Sequence, residues 1–152
     1  MDMTFLKWPI IILVVVGGGW LLTEGGVNYM YDKFTTESVG EDADRDAFNE
    51  SGLNRLGWYS MMMYRYEKAV TMYETSIERY PDGANIWMAY YNLARAYQKL
   101  DRYQEAVDIL GMLRYEDADQ YDERVPDINT LTLRIDTLVE VNLLKSPPME
   151  FR

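Results

Sequence analysis

Two residue types are missing from this chain of 152 residues, which contains no cysteine and no histidine. Without cysteine, the protein has no disulfide, no thiolate nucleophile and no sulfur-ligated metal. Without histidine, it lacks the most common general base near neutral pH and the most common metal ligand. We therefore predict a protein that is not an enzyme and that carries no cofactor and no metal.

Basic residues are scarce as well. The chain has 15 lysines and arginines against 25 aspartates and glutamates, which gives a formal net charge of −10. Nucleic acid is excluded as a partner on this ground, because contacts to phosphates need clustered cations. Much of the acidity lies in residues 37–50, with six acids, and in residues 116–123, with five. Both segments are interpreted as solvated surface, with an acidic docking surface for a basic partner as the alternative.

The second acidic segment has two further interpretations. Asp117, Asp119, Asp122 and Glu123 offer oxygen ligands for calcium, but their spacing lacks the glycine and the distal glutamate of an EF-hand. Paired carboxylates also serve in glycoside hydrolysis, although nothing in the sequence places these acids in a pocket. The solvated loop is favoured over both.

A single long apolar run extends from Trp8 to Leu22, with 15 uncharged residues. A transmembrane helix needs about 20 apolar residues, and Phe5–Leu22 would rise about 27 Å as a helix if Lys7 extends toward the headgroups. We predict a membrane anchor over residues 1–24, in contact with the lipid bilayer; a cleaved signal peptide and a buried helix are the alternatives. Lys7 favours a cytoplasmic amino terminus and a C-terminal domain outside the cytoplasm, periplasmic in a bacterium.

Three consecutive glycines, Gly17, Gly18 and Gly19, lie in this apolar run. Glycine weakens a helix but lets a second helix approach closely, so the triplet predicts either a packing site of the anchor or a flexible point. Residues 25–50 are predicted to form an acidic juxtamembrane linker, because their glycines, threonines and acids show little periodicity.

The middle of the chain contains an internal repeat. The segment RYEKAVTMYE from Arg65 matches RYQEAVDILG from Arg102, and LNRLGWYS matches YYNLARAY, each 37 residues apart. These segments resemble the tetratricopeptide repeat, a helix–turn–helix unit with the pattern W-x2-L-G-x2-Y, A-x3-F, P. The pattern falls on Leu53, Leu56, Gly57, Ser60, Ala69, Tyr73 and Pro81 in the first copy, and on Tyr90, Leu93, Ala94, Tyr97, Ala106 and Leu110 in the second. The resemblance implies an all-α array of two helical hairpins over residues 51–117.

Hydrophobic periodicity supports the same architecture. It predicts amphipathic helices over residues 52–63, 66–80, 85–99 and 102–115. Residues 118–152 are predicted to form an acidic loop, a capping helix and a C-terminal tail, because a stack of hairpins leaves an apolar edge that needs a cover. Within 126–145 the apolar residues recur at helical spacing, but Leu131, Leu133 and Ile135 also alternate as in a strand. A helix is favoured there, with a partial strand left open.

The resemblance also implies a binding surface, because the first helix of each hairpin in this family lines the concave face of the stack. Carried over by position, that face presents Asn54, Trp58, Met61, Met62, Tyr91, Arg95, Gln98 and Lys99. Methionine packs adaptably against a partner, although it also fills irregular cores. Arg95 and Lys99 are candidates to meet a peptide carboxylate. Tyr64, Tyr66 and Tyr103 are expected to pack the turns.

These observations together predict a membrane-anchored, non-catalytic module for protein–protein interaction. We expect an accessory or structural subunit of a larger membrane protein complex, for example a respiratory or photosynthetic one, with protein partners and the lipid bilayer as its contacts. The alternatives are a transient assembly factor or scaffold for such a complex, and a secreted repeat protein after signal cleavage.

Overall fold

The structure, a computed structural model, describes residues 4–21 and 23–147. The chain divides into two compact units, Met1–Ser38 and Val39–Arg152. The first unit contains α1 (Thr4–Leu21) and α2 (Glu24–Thr35). The second contains α3 (Ala43–Met62), α4 (Tyr66–Arg79), α5 (Ile86–Lys99), α6 (Tyr103–Tyr115), a 3₁₀ turn (Ala118–Gln120) and α7 (Ile128–Asn142). The described residues contain no strand, which confirms the all-α prediction for them.

The predicted membrane anchor is not supported by α1. Within residues 4–21 and 23–147, no helix is both long enough and apolar enough to cross a membrane. α1 has 18 residues, and Lys7 and Pro9 interrupt its apolar sequence, so it falls short of the about 20 apolar residues that a span needs. The predicted single-pass topology, with a cytoplasmic amino terminus and a C-terminal domain outside the cytoplasm, is therefore wrong. Residues 1–3 and Leu22 of the predicted anchor lie outside the described residues.

The glycine triplet of α1 has open space around it. A Cβ built on Gly17, Gly18 or Gly19 would meet no atom within 4 Å, apart from the helix itself. The described part of the chain therefore supplies no partner for the packing site that the triplet predicts.

Residues 25–50, predicted as a linker, contain most of α2 and the first two turns of α3. Both helices begin at a capping side chain. The Thr23 hydroxyl accepts a hydrogen bond from the N–H of Gly26, and the Asp42 carboxylate accepts from the N–H groups of Asp44 and Arg45. Such caps satisfy donors that a helix start leaves without intrahelical partners, so α3 begins well before its apolar pattern does.

Each helix of the second unit packs against the next, from α3 to α7. α3 and α4 form one hairpin and α5 and α6 form another, and both turns have the same geometry. Tyr64 and Asp101 have positive φ angles of 58° and 59°. The N–H groups of the following residues donate to the carbonyls of Ser60 (2.8 Å) and Tyr97 (2.9 Å). This is the Schellman motif at a helix end, and it recurs at the spacing of the sequence repeat.

The core runs continuously from α4 to α7. Its fully buried side chains include Ala69, Tyr73, Ala94, Ala106, Leu110, Leu113, Leu131 and Ile135. Helices α3 and α4 approach each other closely at Gly57, where a Cβ would lie 2.7 Å from the ring of Tyr73. α7 packs on α6, so residues 128–142 form the predicted capping helix and not a strand. The end of the predicted tail, residues 148–152, lies outside the described residues.

Part of the acidic segment 116–123 is linked by hydrogen bonds to the turn before α5. The Asp122 carboxylate accepts hydrogen bonds from Nε and Nη2 of Arg124, at 2.8 and 2.7 Å. The same guanidinium donates to Oδ1 of Asn85 at 3.1 Å. The N–H of Asn85 in turn donates to the buried Glu50 carboxylate of α3, at 2.7 Å. We call Glu50, Asn85, Asp122 and Arg124 the loop clasp.

The loop clasp should depend on pH through Asp122. Hydrogen bonds from Arg124 hold the pKa of Asp122 below its ordinary value. Its contribution is therefore fully present above the unfolded pKa of about 3.9 and is lost as pH falls through the lowered folded value. We expect Asp122→Asn to lower the free energy of unfolding by about 1–2 kcal/mol at pH 7 and by clearly less at pH 3. Urea unfolding measures both, with Asp119→Asn as the control outside the clasp; equal losses at the two pH values would contradict this account.

Candidate functional site

Two adjoining cavities lie along α3 and α5, the first helices of the two hairpins. One, of about 230 Å³, is lined by Trp58, Met61, Met62, Tyr64, Tyr66, Tyr73, Asn92, Arg95 and Lys99. The other, of about 270 Å³, is lined by Ser51, Asn54, Arg55, Trp58, Asn85, Met88, Asn92 and Arg124. Because Trp58 and Asn92 line both, the two cavities form one depression, which we call the inner groove.

The inner groove brings together six of the eight residues predicted for the concave face. These six are Asn54, Trp58, Met61, Met62, Arg95 and Lys99. The side chains of Trp58 and Met62 are 57 % and 59 % exposed. Large apolar side chains that stay exposed side by side along a cavity are typical of a contact surface.

The other two predicted residues, Tyr91 and Gln98, serve a different contact. Arg134 of α7 donates from Nη1 to the Tyr91 hydroxyl at 2.9 Å and from Nη2 to Oε1 of Gln98 at 2.7 Å. Its guanidinium carbon also lies 5.7 Å from the centre of the Tyr91 ring, within reach of a cation–π interaction. Both side chains thus tie the capping helix to α5 and do not line the inner groove.

Tyr64, which was expected to pack a turn, lines the inner groove and is 80 % exposed. Its φ of 58° is one that glycine adopts far more readily than a residue with a Cβ. The Schellman motif accounts for this backbone conformation, and it leaves the Tyr64 ring exposed at the rim of the cavity. Sequence reasoning missed Tyr64 because nothing in its residue type predicts exposure. Arg55 and Asn92 could have been found, since they lie one helical turn before Trp58 and Arg95.

Tyr64→Gly should stabilise the second unit. Glycine relieves the left-handed strain, worth about 1–2 kcal/mol, but gains entropy in the unfolded chain, so we expect a net increase of about 0.5–1 kcal/mol. Asp101→Gly, at the equivalent turn, should gain less because aspartate tolerates this conformation better. The urea midpoint of each variant measures the change. A destabilised Tyr64→Gly would show that the edge contact between Tyr64 and Tyr66, with ring centroids 6.1 Å apart, outweighs the strain.

Tyr73 of α4 forms the floor of the inner groove. Its side chain is 0 % exposed, and Cε1 and Cζ of its ring lie against Gly57. Its hydroxyl is buried and has no hydrogen-bond partner among the described residues. Burial raises the pKa of Tyr73 above its ordinary value, and the positive charge of Arg95 opposes that shift. The hydroxyl is therefore protonated at neutral pH and available as a donor.

The inner groove carries positive charge in an acidic protein. Its lining includes Arg55, Arg95, Lys99 and Arg124 and, among the described residues, contains no aspartate or glutamate. Arg124 is paired with Asp122 in the loop clasp. Within the part of the chain that the structure describes, the other three cations form no salt bridge. A cluster of this sign attracts carboxylates, even though the chain as a whole has a net charge of −10.

A larger cavity, of about 350 Å³, lies at the connector between α4 and α5 and is a weaker candidate. Its buried acid, Glu50, already accepts a hydrogen bond from the N–H of Asn85 at 2.7 Å. Gly83 lies against the same carboxylate, because a Cβ on Gly83 would be 2.4 Å from Oε1 of Glu50. This carboxylate therefore holds the connector in place.

The acids considered for calcium or for catalysis are not gathered into a site. None of Asp117, Asp119 and Glu123 lines the three cavities, and Asp122 is bound to Arg124. Across residues 4–21 and 23–147, no group of three or more carboxylates is placed to hold a metal ion.

Comparison with known proteins identifies the middle of the chain. Residues 60–125 match the family model described as tetratricopeptide repeat. The match supports a tetratricopeptide repeat over these residues. This repeat contains α4, α5 and α6, together with the last turn of α3 and the segment that carries Asp122 and Arg124. No curated protein and no solved structure matches the chain significantly. Tetratricopeptide repeats are in general non-catalytic modules that bind other proteins on concave surfaces, so the match indicates a protein–protein interaction module.

Proposed function

We propose that the protein is a non-catalytic accessory subunit that holds a segment of another protein in the inner groove. The observation that carries this proposal is the exposure of Trp58 and Met62 along a cavity at the end of α3, where the residues that match the tetratricopeptide repeat begin. Tryptophan is enriched among the residues that dominate binding energy, and methionine adapts its shape to a partner. Beside this pair, Nδ2 of Asn54 already donates to the Glu50 carbonyl and the Ser76 hydroxyl. Its Oδ1 has no hydrogen-bond partner among the described residues and can accept from the backbone of a bound segment.

Several contacts hold the helices around the inner groove in place, as expected for a binding surface that is formed before the partner binds. Gly57 and the buried Tyr73 set the distance between α3 and α4 beneath the groove, and Arg134 fixes the side chains of Tyr91 and Gln98 on α5. A rigid floor lowers the entropy lost on binding.

Substitution of Trp58 tests the proposal. We expect Trp58→Ala to weaken the complex with the bound partner by about 2 kcal/mol, roughly a 30-fold increase in Kd, as for an aromatic hot spot. The partner is recovered by co-purification with the tagged full-length protein, identified by mass spectrometry, and titrated against each variant. Phe48→Ala is the matched control, because Phe48 is an exposed aromatic residue on the same helix and does not line the inner groove. An unchanged Kd for Trp58→Ala would remove the groove from the binding site.

Stoichiometry separates a permanent subunit from a transient assembly factor or scaffold. A permanent subunit stays with its partner at a fixed ratio through stringent washing, whereas an assembly factor is lost or recovered only from immature complexes. We favour the permanent subunit, because the exposed apolar pair on the groove is covered only while the partner is bound.

A further inference from the structure

The Tyr73 hydroxyl on the floor of the inner groove has no hydrogen-bond partner within residues 4–21 and 23–147. A buried hydroxyl without a hydrogen bond is unfavourable, and most buried polar groups in folded proteins find a partner. The ring edge of Tyr73 rests on Gly57, and Tyr73 lines the same cavity as Trp58 and Met61. An acceptor that enters the cavity from outside would complete this hydrogen bond.

The cations around the hydroxyl define the charge of that acceptor. Arg95 and Lys99 lie one turn apart on α5 and line the same cavity as Tyr73, and Arg55 lines the adjoining cavity. Since the described residues of both linings include no carboxylate, an anion would meet attraction along the whole inner groove. Around the same cavity Trp58, Met62 and Tyr64 provide apolar surface for a neighbouring side chain.

The geometry points to an acidic–apolar segment of a partner protein as the occupant of the inner groove. The segment places an aspartate or glutamate between Arg95 and Lys99, where its carboxylate accepts a hydrogen bond from the Tyr73 hydroxyl. The next apolar side chain along the segment packs against Trp58 and Met62. This inference rests on the proposed function and names the chemistry of the partner.

The distribution of charge favours side-chain carboxylates over a chain terminus. Arg55 is on α3 in one cavity, whereas Arg95 and Lys99 are on α5 in the other. A carboxyl terminus brings one negative charge to one point. A segment with several aspartates or glutamates can pair with cations in both cavities, so internal acidic residues are the source that we assign.

Two displayed libraries of random peptides test the assignment with the full-length protein as target. In one library the peptides are flanked on both sides, and in the other they end in a free carboxyl terminus. We expect the flanked library to yield binders in which aspartate or glutamate neighbours leucine, phenylalanine or methionine. Binders without acids, or enrichment from the free-terminus library alone, would overturn the assignment.

Trp58→Ala distinguishes failure of this inference from failure of the proposed function. Binders that hold equally well to Trp58→Ala would overturn both, because the inner groove would then not be the binding surface. Binders that need Trp58 but contain no acid would overturn the acidic assignment alone. If the protein instead associates with itself in sedimentation, and the double variant Arg95→Gln/Lys99→Gln is a monomer, the occupant is a second copy and a separate partner is ruled out.

Tyr73→Phe tests the hydrogen bond on the floor of the groove. The best flanked binder is synthesised with blocked ends, beside an analogue with asparagine and glutamine for its acids, and both are titrated by fluorescence anisotropy. The wild-type protein should prefer the acidic peptide by about tenfold or more, and Tyr73→Phe should reduce that preference by about tenfold. The melting temperature should not fall, because the removed hydroxyl had no partner among the described residues.

Tyr80→Phe is the matched control for this measurement. Tyr80 is also a buried tyrosine whose hydroxyl has no partner among the described residues, and it lines the cavity at the α4–α5 connector instead of the inner groove. Its preference for the acidic peptide should equal that of the wild type. An undiminished preference in Tyr73→Phe, or an equal loss in Tyr80→Phe, would remove the Tyr73 hydroxyl from the site.

Discussion

Gly57→Ala is expected to lower the free energy of unfolding by about 2–3 kcal/mol, because the new methyl group would overpack a buried ring. The added Cβ would lie 2.7 Å from both Cε1 and Cζ of Tyr73, far inside ordinary contact distance. Tyr73 is fully buried and cannot turn away, so α3 and α4 must separate. The better helix propensity of alanine, worth about 1 kcal/mol, would offset part of a larger clash. Urea unfolding measures the net effect.

The second repeat supplies the rescue for this variant. Ala94 and Leu110 stand 37 residues after Gly57 and Tyr73 and form the equivalent pair of the second copy. Alanine is larger than glycine and leucine is smaller than tyrosine, so the second pair fills a similar volume. The double variant Gly57→Ala/Tyr73→Leu reproduces that pair and should recover most of the lost stability, since the combined volume is nearly kept. If the double variant is no more stable than Gly57→Ala alone, the two residues are not the contact that sets the helix separation.

Leu110→Ala should lower the free energy of unfolding by about 3 kcal/mol, the other large effect on stability that we expect. Leu110 is 0 % exposed within the continuous core from α4 to α7, so its truncation removes buried apolar area and leaves a cavity. We expect a lower urea midpoint with an unchanged denaturant slope. Leu133→Ala is the control, since Leu133 of α7 is 69 % exposed and its truncation should change stability by less than about 0.5 kcal/mol. Similar losses for both leucines would contradict the placement of the core.

The positions of the helices were predictable because each helix of the first copy has an equivalent in the second copy. The 37-residue spacing aligned Ala69 with Ala106, and helical periodicity then placed α4, α5 and α6 to within a residue or two. The start of α3 was not predictable from periodicity, since it depends on hydrogen bonds that the Asp42 carboxylate accepts from the N–H groups of Asp44 and Arg45, in a segment with few apolar residues. Capping chemistry is local and polar, and an apolar pattern does not reveal it.

The candidate site was predictable only as far as one helix face determines it. The positions of Trp58, Met62 and Arg95 in the groove were predictable, because the first helix of each hairpin was expected to line the concave face. Tyr91 and Gln98 lie on a similar face of α5, but Arg134 reaches them from a helix that is distant in sequence. That contact depends on how α7 docks, which spacing within α5 cannot encode. The unpartnered hydroxyl of Tyr73 is likewise a product of packing and has no counterpart in the sequence pattern.

The predicted membrane anchor failed for a quantitative reason. The run from Trp8 to Leu22 has the composition of a span but not its length, and extension to Phe5 had to include Lys7. The prediction therefore depended on one lysine side chain reaching the headgroups, and the described helices do not meet the requirement for a span.

The loop clasp has a consequence for cooperativity. In a stack of helical hairpins each unit contacts only its neighbours, so terminal units can unfold while the rest of the stack persists. Here Glu50 belongs to the first hairpin, Asn85 to the connector before the second, and Asp122 and Arg124 to the segment that leads to the capping helix. These hydrogen bonds link all three parts. Unfolding of the first hairpin or of the capping segment would therefore break hydrogen bonds to the connector between them. The second unit should therefore unfold in one transition, unlike an array that frays from its ends.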